Sequence, residues 1–145
     1  MLKAYKSVVF FIFLFPSLSE AACSFSNVGG INFGVYSTFS STADDTNGSV
    51  RLSCNPRASV VVSLSTGASG SYANRAMTST AGTLNYNIYT TAARTSIWGN
   101  GASGTAVVSA SNVNNQTFTL FGRIFALQDV SVGSYTDSIV VTATF

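Results

Sequence analysis

The chain has 145 residues, of which 46% are hydrophobic and only 8% charged, with a formal net charge of +2 and no histidine. That is one ordinary domain's worth of chain, and it carries neither a basic patch suited to nucleic acid nor an acidic run. Both lysines and the only glutamate lie before position 21, so acid–base chemistry beyond it would fall to four aspartates, the tyrosines or two thiols. No imidazole or amine side chain is left to activate a serine or threonine as a nucleophile, which argues against an enzyme.

At the amino end, Lys3 and Lys6 form a basic n-region ahead of "VVFFIFLF" at 8–15. "SLSEA" at 17–21 then places small residues at Ser19 and Ala21, as signal-peptidase cleavage requires. An eight-residue apolar run is too short for a bilayer that needs about 20. A lipoprotein signal ending at Cys23 is disfavoured by Glu20, which stands where an apolar residue is wanted. Residues 1–21 are therefore expected to be a cleaved signal peptide and 22–145 a single exported domain. Cys23 and Cys54 are the only cysteines. In an oxidising compartment they point to one disulfide, with two free thiols as the alternative. Its loop of about 31 residues corresponds to roughly 3.5 kcal/mol on the chain-entropy model.

Helical periodicity is nearly absent. Short alternating runs separated by Gly, Ser, Asn and Thr clusters predict strands. They are "INFGVY" (31–36), "GSVRLSC" (48–54), "SVVVSLS" (59–65), "TLNYNIYTT" (83–91), a short "TSIWG" (95–99), "QTFTLFGRIFA" (116–126) and a terminal strand. Seven or so strands at this spacing suggest an immunoglobulin-like sandwich. The terminal strand, "DSIVVTATF", alternates so that Ile139, Val141, Ala143 and Phe145 face one way and Val140, Thr142 and Thr144 the other. It ends with nothing evident to cover it.

Among candidate functional residues, Asp44 and Asp45 fit turn chemistry better than a carboxylate dyad. "DDTNGS" (44–49) lacks the distal glutamate of a calcium loop, so neither a metal site nor a cofactor is expected. Trp98, the only tryptophan, sits beside a glycine-rich loop. It reads either as a core residue or as a platform for stacking on a sugar. Asn47 and Asn115 head glycosylation-type triplets, which arise by chance in so Asn- and Ser-rich a chain.

Three stretches taken together resemble the spore coat protein U domain family, which includes subunits of archaic, Csu-type chaperone–usher pili. They are "LNYNIYTTAARTSIWGNG" (84–101), "LFGRIFALQDVSVGSYTDSIVVTATF" (120–145), and "INFGVY" with the strand that ends at Cys54. The resemblance covers about residues 22–145. Departures are local: Asn100 stands where Asp is common, and Phe125 and Leu127 where Pro and Gly are frequent.

The resemblance implies an all-β fold, an incomplete immunoglobulin-like β-sandwich lacking its last strand and completed by a donor strand. A periplasmic chaperone would supply that strand first, and a neighbouring pilus subunit would replace it at an outer-membrane usher, a form of β-strand addition. Ile139, Val141, Ala143 and Phe145 would then border the strand-acceptor groove; the alternative is that they complete an ordinary core. Four half-covered side chains forgo about 4–8 kcal/mol of burial, against a net domain stability of roughly 5–15 kcal/mol. Cleavage after Ala21 leaves only Ala22 before Cys23, whereas a donor strand needs about ten free residues at roughly 3.3 Å each. The expected product is a non-enzymatic, surface-exported pilus or coat subunit that accepts a strand but gives none. A carbohydrate-binding adhesin module using Trp98 on surface glycans is the alternative function.

Overall fold

Six strands and one turn of 3-10 helix make up the computed structural model, which describes residues 20–145. The basic region and apolar run of the expected signal peptide lie outside these residues. The strands are β1 (Ala22–Gly30), β2 (Asp44–Leu64), β3 (Arg75–Ser79), β4 (Gly82–Tyr89), β5 (Val108–Ile124) and β6 (Val141–Thr144). All the strand pairs are antiparallel, in the order β1-β2-β5-β4-β3, with β6 added to β2. The fold is all-β, as the alternating sequence predicts.

β2 is the spine of the molecule. Its 21 residues absorb two runs that the sequence presents as separate strands. Between them lies Asn55-Pro56-Arg57, where proline has no N–H for the ladder, and the pairing with β5 skips from Ser53 to Ala58. One edge of β2 carries β5. The other carries β1 opposite residues 49–55 and β6 opposite 61–64. Val50, Leu52 and Cys54 in the first half and Val60, Val62 and Leu64 in the second all point inward at 2% exposure or less. Alternation at period two on either side of the bulge lets one long strand serve both parts of a curled sheet. Phe118, Leu120 and Ile124 of β5 and Leu84, Tyr86 and Ile88 of β4 close the same core.

Besides "TSIWG" (95–99), which makes only single bridges at Ile97 and Trp98 and no strand, two strands differ from the sequence-based expectation. The first strand is not 31–36 but Ala22–Gly30, which pairs with β2 so that Cys23 stands opposite Cys54. These two form the disulfide, with Cα atoms 4.0 Å apart. Gly30 and Gly34 both adopt positive φ (62° and 75°), which ends the ladder before Ile31. Segment 31–33 instead crosses the sheet over Gly48 and Gly122. A Cβ on Gly122 would stand 2.8 Å from the Phe33 ring, and one on Gly48 would run into the Gly30 carbonyl. The second difference is β3, which no apolar alternation announces. Asp44 and Asp45 head β2 rather than forming a turn, because Arg123 on β5, the register partner of Asp45, binds its carboxylate through Nε at 2.7 Å and Nη2 at 2.8 Å. That pairing holds the Asp45 carboxyl below its usual range.

Candidate strand-acceptor groove

A cleft of about 410 Å³ opens between the end of β1 with its continuation and the segment leading into β6. One wall carries Val28, Ile31 and Phe33, and the other carries Tyr135, Ile139 and Val141. Val50, Leu64, Ile88 and Leu120 form its apolar floor. A wider depression of about 940 Å³ adjoins it, sharing Ile31, Phe33, Met77, Tyr135 and Thr136. The trough thus runs between residues 28–39 and 130–141, and toward its far end Val35, Phe39 and Val132 are almost wholly exposed.

Both walls present backbone edges without a ladder partner among the described residues. β1 pairs only with β2, and so does β6. Val140 bonds inward: its carbonyl accepts the Ser65 N–H at 2.9 Å, and its N–H donates to Ser65 Oγ at 2.9 Å. Thr136 likewise exchanges both backbone bonds with Thr78 of β3, at 2.8 and 3.0 Å. Because successive residues of an extended strand aim their N–H and C=O at opposite edges, Ile139 and Val141 direct theirs away from Ser65, on the trough side, and Ala143 continues the same edge beyond the cleft. Their side chains pack against the core, whereas Val140 is 64% exposed. Of the four residues expected to border the groove, Ile139 and Val141 line the cleft. Ala143 packs on the core beyond it, and Phe145 lies 57% exposed at the chain end.

Behind the second wall lies a polar cluster that sequence reasoning missed. Arg75, fully buried, donates from Nε and Nη2 to the Ser65 carbonyl (3.0 and 2.7 Å), from Nη2 to the Trp98 carbonyl (2.7 Å) and from Nη1 to Asn87 Oδ1 (2.8 Å). Its guanidinium also lies over the Tyr72 ring, 5.3 Å from the centroid. Burial lowers the Arg75 pKa, since taking the charge out of water disfavours the protonated form. Asn87, also fully buried, donates to the carbonyls of Tyr72 and Ala73. The Tyr86 hydroxyl donates to Asp137 Oδ2 at 2.7 Å, and burial followed by that bond pushes its pKa far above the usual phenol range. An arginine in the loop-like "SYANRAM" gives no sequence signal of burial. Asp137 does fall in the "GSYTD" stretch that carries the family resemblance, which was the one available hint.

Trp98 is 1% exposed, and its indole N–H donates to the Val62 carbonyl at 2.9 Å. The ring therefore offers no face on which a sugar could stack, and the residue belongs to the core. Both triplet asparagines are exposed strand residues engaged through Oδ1. Asn47 Oδ1 accepts from Arg94, and Asn115 Oδ1 accepts from Arg51 and Ser53.

An antiparallel β-fold with one apolar trough open between two strand edges defines a class of incomplete β-sandwich. The Spore Coat Protein U domain model matches residues 11–142, and the chain belongs to that family. No curated protein matches the sequence. Among solved structures, the chain is similar to one from the chaperone–tip adhesion subunit pre-assembly complex of the archaic chaperone-usher Csu pili of Acinetobacter baumannii. The likeness has a TM-score of 0.63 at 23% identity and covers 87% of this chain. This chain spans 40% of the length of the one it matches.

Proposed function

We propose that the protein is an exported, non-enzymatic subunit of a bacterial surface pilus or coat, whose trough accepts a β-strand from another chain. The observation that carries this reading is the pairing of an apolar floor with two unladdered backbone edges. A strand laid between them would bond to the outward-facing groups of Ile139, Val141 and Ala143 and place alternate side chains on Val50, Leu64, Ile88 and Leu120. Family membership and the likeness to a Csu pilus structure support the same occupant. A periplasmic chaperone would supply the strand first, and another subunit, delivered at an outer-membrane usher, would replace it.

The disulfide adds an asymmetry. Cys23 is tied to Cys54 in the register of β1, so with cleavage after Ala21 a single residue would precede the tether. The subunit would then accept a strand and give none, which suits a pilus tip or an initiating position. Co-expression with a cognate chaperone and native mass spectrometry with a synthetic alternating donor peptide test the proposal. The reading expects a chaperone complex from which the peptide displaces the chaperone. A stable monomer that binds neither would overturn it. N-terminal sequencing tests the asymmetry, which fails if the mature chain keeps ten or so residues before Cys23.

A further inference from the structure

The wall that carries Ile139 and Val141 is held on its inner side by polar side chains, not only by a strand ladder. Ahead of β6, the Asp137 carboxylate accepts three hydrogen bonds. Oδ1 takes the N–H groups of Ala68 (2.9 Å) and Ser138 (2.8 Å), and Oδ2 takes the Tyr86 hydroxyl (2.7 Å). Gly67 makes room for this group: a Cβ there would run into the carboxylate, at a φ of +70° that disfavours side chains in any case. Three residues on, Val140 is gripped by the N–H and Oγ of Ser65. The Ser65 carbonyl in turn receives two bonds from the buried Arg75.

We infer that Asp137 and Ser65 are positioning residues for strand acceptance. They fix residues 137–140 so that the free backbone groups of Ile139 and Val141 already face the trough before a partner arrives. Neither residue meets the incoming strand through a carboxylate or hydroxyl left free for it, because those oxygens are engaged inward. Their effect is to remove the ordering that the partner would otherwise have to impose. Ordering one backbone residue corresponds to roughly tenfold in an equilibrium constant, so loosening two of these four lowers affinity on the order of 100-fold.

This inference rests on the reading of the trough as a strand acceptor, and the test separates the two. The affinity and on-rate of a synthetic donor peptide are measured on the mature chain for wild type, Asp137→Ala, Asp137→Asn and Ser65→Ala. Val113→Ala serves as control, since Val113 is core but lies away from the trough. Urea unfolding places every variant on a common stability scale. Asp137→Ala is expected to weaken capture roughly 10- to 100-fold, more than the control at equal loss of stability. Ser65→Ala should do so less, because it removes the two bonds to Oγ but leaves the Ser65 N–H on the Val140 carbonyl. Asp137→Asn should recover most of the affinity, since an amide can accept from Ala68 and Ser138 and donate to the Tyr86 oxygen. Capture by Asp137→Ala that falls only as far as stability falls in Val113→Ala overturns the inference. If Asp137→Ala does not fold, Tyr86→Phe, which deletes one bond of the three, gives the same reading with a smaller expected loss. Wild type that fails to bind the peptide sinks the acceptor reading itself.

Discussion

Replacing Arg75 by alanine probes the buried polar cluster most sharply. The side chain is fully buried and no carboxylate bonds to it, so its charge is balanced by oriented acceptors: the Ser65 and Trp98 carbonyls and Asn87 Oδ1. Truncation leaves the two carbonyls without their donor, at about 1–3 kcal/mol for each unsatisfied buried group, while Asn87 Oδ1 keeps the Ile88 N–H at 2.9 Å. Water entering the vacated space would restore part of this. The expected loss is therefore about 3–5 kcal/mol, the range seen when one member of a buried polar or ionic set is removed. That is a fifth or more of a typical domain's roughly 5–15 kcal/mol. Arg75→Lys keeps the charge but not the planar fork that reaches several acceptors together, and should fall between the two. Urea unfolding followed by tryptophan fluorescence suits the measurement, because Trp98 is the only tryptophan and is buried against this cluster. A loss below about 1 kcal/mol, the usual worth of one ordinary hydrogen bond, would refute the view that the cluster organises this side of the molecule.

Other consequences can be measured on the same protein. Tyr86 has a folded-state pKa raised by burial and by Asp137, and that of Tyr89 is raised mainly by burial. Their protonated forms therefore favour the fold, a stabilisation fully present below the ordinary phenol pKa of about 10 and lost as pH rises above it. Urea midpoints should fall from about pH 10 upward, and Tyr86→Phe should flatten that decline; an unchanged slope in the variant would count against the assignment. Replacing Cys23 and Cys54 by serine should cost about 3–4 kcal/mol on the loop-entropy model, read as matching shifts in the double variant and in reduced wild type. Gly122→Ala should push Phe33 and Ile31 from their seat, since the added Cβ would lie 2.8 Å from Phe33 Cζ and 3.1 Å from Ile31 Cγ2. The expected result is weaker capture of a donor peptide, and unchanged capture would show that segment 31–33 is not a wall of the trough.

The parts of this fold legible in the sequence are those where alternation and burial coincide. β2, β5 and the terminal strand follow the period-two pattern, β4 does so only as far as Tyr86, and the two cysteines pair as expected. What stayed hidden has physical causes. β1 is rich in Ser, Asn and Gly and resembles a loop, yet it pairs with β2, where the disulfide fixes Cys23 opposite Cys54. The more strand-like 31–36 is shut out of the ladder by the positive φ of Gly30 and Gly34. β3 holds its place through a buried arginine, and period-two reasoning assigns charge to the surface. The trough was visible only in part. Alternation put Ile139 and Val141 on one face and only the family resemblance put that face on a groove, while the opposite wall at Val28, Ile31 and Phe33 and the grip of Asp137 depend on contacts between residues far apart in sequence.

The most direct test of the account is amide hydrogen exchange at Ile139, Val141 and Ala143, with and without a donor peptide. Their N–H groups face an edge that no described strand occupies, so they should exchange readily in the free subunit while Val140, bonded to Ser65 Oγ, is slower. Addition of the peptide should protect all three. Amides already protected in the free protein, or unprotected in a complex that demonstrably forms, would contradict the claim that this edge receives the strand.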